Sequence, residues 1–202
     1  MIDASQLHRD RFAAATRVYA IGDIHGRLDL LAEIEAAIAA DIAATAPDRP
    51  LICYLGDYID RGPHSAQVIE YLCEVGAGRV ERAFLIGNHE DRMIAFLADP
   101  AANGPAWMKF GGREALESYG VAVPDAVSDE AWPGLRDALC AVLPESHRSF
   151  LADLLIGLRW RDFLFVHAGL SPDSPACEQT PRDLMWIREP FLSSECDWGF
   201  RV

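Results

Sequence analysis

Leu51-Ile52-Cys53-Tyr54-Leu55-Gly56-Asp57-Tyr58-Ile59-Asp60-Arg61-Gly62 is the stretch on which the fold turns. It starts as five apolar residues rich in strand formers, stops at a glycine and ends in two carboxylates and an arginine. That pattern reads as a buried strand delivering polar side chains at its carboxyl end. Three other segments repeat the build. Val18-Tyr19-Ala20-Ile21 runs into Gly22-Asp23-Ile24-His25-Gly26, Ala83-Phe84-Leu85-Ile86 into Gly87-Asn88-His89-Glu90, and Phe163-Leu164-Phe165-Val166 into His167-Ala168-Gly169. Ligands of α/β sheets collect at the carboxyl ends of strands, so pairing the four strands side by side predicts that Asp23, His25, Asp57, Asn88 and His167 share one rim. Carboxylate oxygen, amide oxygen and imidazole nitrogen form the donor mixture that suits hard-to-borderline divalent ions.

Between these strands the apolar period lengthens to that of a helix. Leu28, Leu30, Leu31, Ile34, Ile38 and Ile42 recur at helical spacing before Pro47, which predicts an amphipathic helix over about 28–45. Further helices are expected from Ser65 to about Val75 and from about Glu90 to Leu97, with Glu90 capping the latter. The strand-helix alternation calls for a layered α/β fold. From about 99 to 161 the rhythm breaks, with Pro100, Gly104, Pro105, Pro124, Pro133 and Pro144 punctuating short helical pieces that include Arg113–Tyr119 and Glu145–Leu155. This reads as a helical elaboration within a single domain spanning 1–202. Trp107, Met108, Phe110, Tyr119 and Trp132 read as its own core, with a cleft-lining role as the alternative. A last strand is expected to begin at Gly199-Phe200-Arg201-Val202.

Bulk properties narrow the function. Half of the 202 residues are hydrophobic, which suits one globular domain, and the net charge of −13 disfavours nucleic acid or an anionic membrane as partner. No stretch of 18 apolar residues is present, and five cysteines without a Cys-x-x-Cys pair disfavour a disulfide framework, so a cytoplasmic setting is expected. Cys73 and Arg79 have the Cys-x5-Arg spacing of a thiol-based phosphatase loop, but Cys73 is placed at the end of a predicted helix, whereas that loop must open one. The single lysine, Lys109, precedes Phe110 and belongs to no Walker A loop. His8 lies in a polar amino-terminal stretch and is expected to be solvated.

Taken in order, the Gly-Asp-Ile-His-Gly, Gly-Asp-Tyr-Ile-Asp-Arg-Gly, Gly-Asn-His-Glu and Val-His-Ala-Gly segments resemble the phosphoprotein (serine/threonine) phosphatase family of the calcineurin-like metallophosphoesterases, bacterial and phage type. The resemblance covers nearly the whole chain and implies a central β-sandwich flanked by helices. It implies two divalent ions, manganese being expected and iron or zinc the alternatives. Asp23 and His25 would hold the first ion, Asp57 would bridge both, and Asn88 and His167 would hold the second. Such a pair activates a shared hydroxide for in-line attack on phosphorus. Arg61 and Arg188 would bind phosphate oxygens as planar forks. His89 would act as general acid, with Asp60 orienting its imidazole and keeping it cationic.

One departure stands beside these matches. The family carries a further metal-binding histidine after the Trp-x-Arg region, and no residue after Trp186-Ile187-Arg188-Glu189 supplies it. His64, after a turn, and His147, on a predicted helix surface, are not expected to replace it. The resemblance therefore implies a chain lacking its carboxyl-terminal strands. Phosphoserine and phosphothreonine hydrolysis is the leading expectation, on a phosphorylated protein or a small phosphoester. Dinucleoside polyphosphate hydrolysis is the alternative, and an inactive pseudophosphatase or fragment is a further one.

Overall fold

A computed structural model describes residues 12–78 and 80–202. His8 and Arg79 lie outside the described residues. Three parallel strands, β1 (Arg17–Ile21), β2 (Pro50–Tyr54) and β3 (Glu81–Phe84), form a sheet in that order. The register pairs Ile21 with Tyr54 and Tyr54 with Phe84, so the three carboxyl ends are level. The crossovers are α1 (Leu28–Thr45) and α2 (Ser65–Gly76), and α3 (Asn88–Ala98) leaves the third strand. Parallel strands joined by helices need cover on both faces. Ile52 and Tyr54 of β2 pack towards the helices, while Leu51 and Cys53 pack with Leu85, Leu155 and Leu158 on the other side.

The middle of the chain is helical, as its spacing predicted: α4 (Pro100–Met108), α5 (Gly112–Ser118), α6 (Trp132–Val142) and α7 (Glu145–Ala152). Trp107 and Trp132 are buried in the same core as Tyr58 and Phe96. The chain then forms a two-stranded antiparallel ladder, β4 (Leu158–Trp160) with β5 (Phe163–Phe165), and α8 (Pro181–Trp186) follows. Helices, parallel sheet and ladder therefore stack as layers of an α/β fold. No helix among the described residues is long and apolar enough to cross a membrane.

Four sequence expectations change. The Phe163–Val166 strand does not join the other three; it pairs with β4, a run of three residues too short to announce itself by period. The last strand is only a parallel bridge from Arg201 to Phe163. In α1 the inward stripe is Leu28, Leu31, Glu35, Ile38 and Ile42, whereas Leu30 and Ile34 are exposed. At 100° per residue those two lie about 70–110° round the helix from the stripe. The middle of the stripe is Glu35, which accepts from the Tyr54 hydroxyl and from Arg82 Nη2 at 3.0 Å. His147 is buried rather than on a surface, held between the Tyr119 hydroxyl at 2.9 Å and Glu70 Oε2 at 2.7 Å.

Candidate metal and phosphate site

The three loops that leave the sheet are locked to one another by main-chain groups. Ile24 N–H and His25 N–H both donate to Asp57 O, and Gly26 N–H donates to Tyr58 O. The third loop grips the second through Glu90. Its buried carboxylate accepts from Asp57 and Tyr58 N–H, each at 2.8 Å, from Gly87 N–H at 2.9 Å and from Ile59 N–H at 3.3 Å. The expected helix cap is thus also the brace of the neighbouring loop. Gly87 has to be glycine for this approach, since a Cβ there would stand 2.2 Å from Asp57 Oδ1 and 2.4 Å from its amide nitrogen.

This interlock holds an unusual backbone. His25, Asp57, Asp60 and Arg61 have φ of 46°, 56°, 72° and 66°, four of the six non-glycine residues with positive φ among those described. Each such conformation costs about 1–3 kcal/mol and persists where its surroundings over-determine it. Both carboxylates of this loop reach His89, Asp57 Oδ2 standing 3.8 Å from its Nε2 and Asp60 Oδ2 standing 2.7 Å from its Nδ1.

Around the buried Asp57 the acceptors converge. His25 Nδ1 lies 2.9 Å from Ile59 O, and a carbonyl only accepts, so Nδ1 carries the proton and Nε2 presents its lone pair. That Nε2 lies 3.7 Å from both Asp23 Oδ2 and Asp57 Oδ2. His167 repeats the arrangement: Nδ1 donates to Leu55 O at 2.8 Å and Nε2 lies 3.4 Å from Asp57 Oδ1. His25 Nε2 and Asn88 Oδ1 are both buried without a hydrogen-bond partner. Buried polar atoms are seldom left so. Lone pairs crowded onto carboxylates, with each imidazole oriented by a carbonyl, are the surroundings of a metal ion. Two triads have ligand atoms within 4.8 Å of one another and could hold a cation: Asp23, Asp57 and His167, and His25, Asp57 and His89. Asp57 belongs to both. The neighbouring His25 imidazole holds the Asp23 carboxyl below its ordinary range, against burial. Burial pulls the His25 imidazole down, yet Asp23 and the Ile59 carbonyl outweigh it and leave its pKa raised, so a proton and a cation compete for Nε2.

Beside this centre His89 Nδ1 lies 2.7 Å from Asp60 Oδ2, and Trp107 Nε1 donates to the same carboxyl oxygen at 2.9 Å. Arg61 Nη2 stands 3.2 Å from His89 Nε2. A guanidinium only donates, so Nε2 is an acceptor and the imidazole is neutral in this arrangement. Burial acts in the same sense, pulling the His89 pKa down to about 4 against the opposing charge of Asp57. The expectation that Asp60 keeps His89 cationic is therefore not met. Burial pushes the Asp60 carboxyl up to about 8, while the Trp107 donor pulls it back. We take Asp60 as the ionised acceptor, the form consistent with Arg61 donating to Nε2. Trp107, 47 residues away, was invisible as its partner in the sequence.

A cavity of about 420 Å³ opens over these groups, and Asp23, Asp57, Arg61, Asn88, His89 and His167 are among its lining residues. Phe110, Trp186, Arg188 and Leu192 line it as well. Arg188 is exposed at the rim, and the guanidinium over the Trp186 ring is that of Arg92, not Arg188. His64 and His147 are not among the lining residues. Cys73 lies within α2, so it does not begin a phosphate loop.

Residues 16–201 match the family model described as calcineurin-like phosphoesterase. The chain belongs to this family. Among curated relatives, it is 28% identical over 179 residues to a symmetrical bis(5'-nucleosyl)-tetraphosphatase of Klebsiella pneumoniae (strain 342), covering 88% of this chain and 51% of that protein. It is 41% identical over 75 residues to the serine/threonine-protein phosphatase PP2A-like PPG1 of Candida albicans, but this covers only 37% of the chain and 17% of that protein. A crystal structure described as that of a candidate diadenosine tetraphosphatase shares the fold with a TM-score of 0.54 at 19% identity, covering 85% of this chain and 58% of that one. The chain spans about half the length, or less, of the curated relatives named here.

Proposed function

We propose that this chain forms the metal-dependent catalytic site of a phosphoric-anhydride hydrolase acting on dinucleoside polyphosphates. The observation that carries the hydrolase reading is the convergence of unpartnered lone pairs on Asp57. Asp23, His25, Asp57, Asn88 and His167 would hold two divalent cations, manganese being our choice. When bound, such ions supply Lewis acidity and an activated water. The residues themselves position the substrate: Arg61 and Arg188 offer planar donor forks to phosphate oxygens. Arg61 is within reach of both the cavity and His89, so turning towards phosphate would free the His89 Nε2 lone pair to accept a hydrogen bond from water in the cavity.

Two observations favour a polyphosphate over a phosphoserine. The match to a bis(5'-nucleosyl)-tetraphosphatase runs along 88% of the chain, whereas the protein phosphatase match is confined to 37%. The leaving group also matters: a terminal phosphate oxygen has a second pKa of about 6, so it departs with little protonation. A serine alkoxide is far more basic and needs a strong general acid, and burial holds His89 neutral. Phosphoserine and phosphothreonine hydrolysis remains the second reading, on the strength of the local 41% identity.

The test is turnover of diadenosine tetraphosphate beside a phosphoserine peptide with added manganese, products resolved by chromatography and Asp57→Asn as control. We expect water-dependent release of adenine nucleotides, faster than phosphate release from the peptide and lost in the control. Preferential dephosphorylation of the peptide would replace this reading with the second.

A further inference from the structure

Phe110 is a large apolar ring in the wall of the cavity that holds Asp57, Arg61 and His89, and it is 36% exposed. One of its faces is occupied. The Arg92 guanidinium carbon stands 3.9 Å from the Phe110 centroid and 4.5 Å from the ring of Trp186. Trp186 is fixed in turn, because its indole N–H donates to Asp91 Oδ2 at 2.9 Å. Arg92 Nε is buried without a hydrogen-bond partner, so stacking rather than a carboxylate holds this guanidinium in place. The ring also stands beside His89 in a T-shaped arrangement, with centroids 6.0 Å apart and planes at 78°. Arg61 N–H donates to Gly111 O at 3.3 Å, which ties the loop bearing the ring to the loop bearing the phosphate fork.

A ring that merely covered core would be buried, as Trp107 and Trp132 are. Phe110 is instead oriented from behind by a cation, fixed beside His89 and open towards the cavity. We propose that its free face is the stacking platform for a nucleobase of the substrate. The identity of that substrate rests on the dinucleotide reading above; the platform itself rests on the ring. A cation on one face leaves the other electron-poor, which suits an electron-rich purine. Stacking requires only a π-face, so the platform would accept different bases. Its task is to convert a general phosphate site into one that prefers nucleotides.

The test is binding, measured calorimetrically with manganese present, of ADP and of inorganic pyrophosphate to the wild-type chain and to Phe110→Ala and Phe110→Trp. The two probes share the diphosphate and differ by the nucleoside. ADP is expected to bind the wild type about 5- to 150-fold more tightly than pyrophosphate. Phe110→Ala should abolish that difference while leaving pyrophosphate affinity within about twofold, and Phe110→Trp should restore it. Equal affinities in the wild type, undetectable ADP binding, or a preference that survives Phe110→Ala would each overturn the proposal. The readout does not depend on turnover. A chain that binds ADP through Phe110 yet leaves diadenosine tetraphosphate intact would overturn the dinucleotide reading and keep the platform.

Discussion

The loops from Gly22 to Glu90 and the segment from Val166 to Arg188 serve the same cavity, and they are held in different ways. In the first region the side chains sit at the level ends of a parallel sheet, and main-chain bonds and the Glu90 carboxylate tie each loop to the next. In the second, His167 is positioned by one bond to Leu55 O, and Trp186 by its bond to Asp91. The small core beneath it consists of Leu164, Val166, Leu170 and Leu184. Regions with few buried contacts open at lower free energy than the sheet they lean on. The metal-facing groups of the first region are thus tied to the sheet by many bonds, whereas those of the second rest on few.

Cysteine chemistry offers the widest contrast. Burial in β2 pushes the Cys53 thiol up to about 12, while Cys177 and Cys196 are exposed. Raising a thiol pKa removes the reactive thiolate at neutral pH, and burial in the sheet also keeps the reagent away. Alkylation followed by mass spectrometry should therefore label Cys177 and Cys196 much faster than Cys53. Comparable rates would mean that β2 opens as readily as the second region. Next in size is Glu90→Ala, which strips the acceptor from four buried N–H groups and should cost about 3–5 kcal/mol in denaturant unfolding. A loss below about 1 kcal/mol would show that the brace is dispensable. Asp57→Asn should follow, weakening manganese binding more than about 100-fold, because even groups that only support a ligand are worth 10–100-fold. Metal titration against an intact circular dichroism spectrum separates that loss from unfolding.

Much of the first region was legible because its signals are local. A strand formed by Leu51–Tyr54 needs only apolar β-formers, and the glycine that stops it delivers Asp57 within two residues, so strand ends and metal-facing groups could be read from adjacent positions. What escaped depends on distance along the chain. Trp107 meets Asp60 across 47 residues, and no spacing announces such a partner. Glu90 looked like a helix cap because its hold on Gly87 is local, while its hold on Asp57, Tyr58 and Ile59 spans more than 30 residues. The β5 strand was recognised but given the wrong neighbour, since a buried apolar run does not say which edge it pairs with. Tertiary packing likewise chose Glu35 over Ile34 for the inner face of α1, where Arg82 neutralises its charge at 3.0 Å. The neutral His89 was missed for a related reason, since burial and the approach of Arg61 belong to the assembled site.

The smallest expected effect tests the second region alone. Trp186→Phe keeps an aromatic ring over Arg92 and removes only the indole donor to Asp91, a bond worth about 0.5–1.5 kcal/mol. If the second region opens independently, that loss should speed hydrogen exchange of its amides, such as Ile187 N–H bonded to Asp183 O, by about 2- to 10-fold. The β2 amides should keep their wild-type rates, because the loops that end in Glu90 do not draw on this bond. Equal acceleration in β2 would show that the two regions unfold as one unit, and the cavity would then owe both of its walls to a single cooperative core.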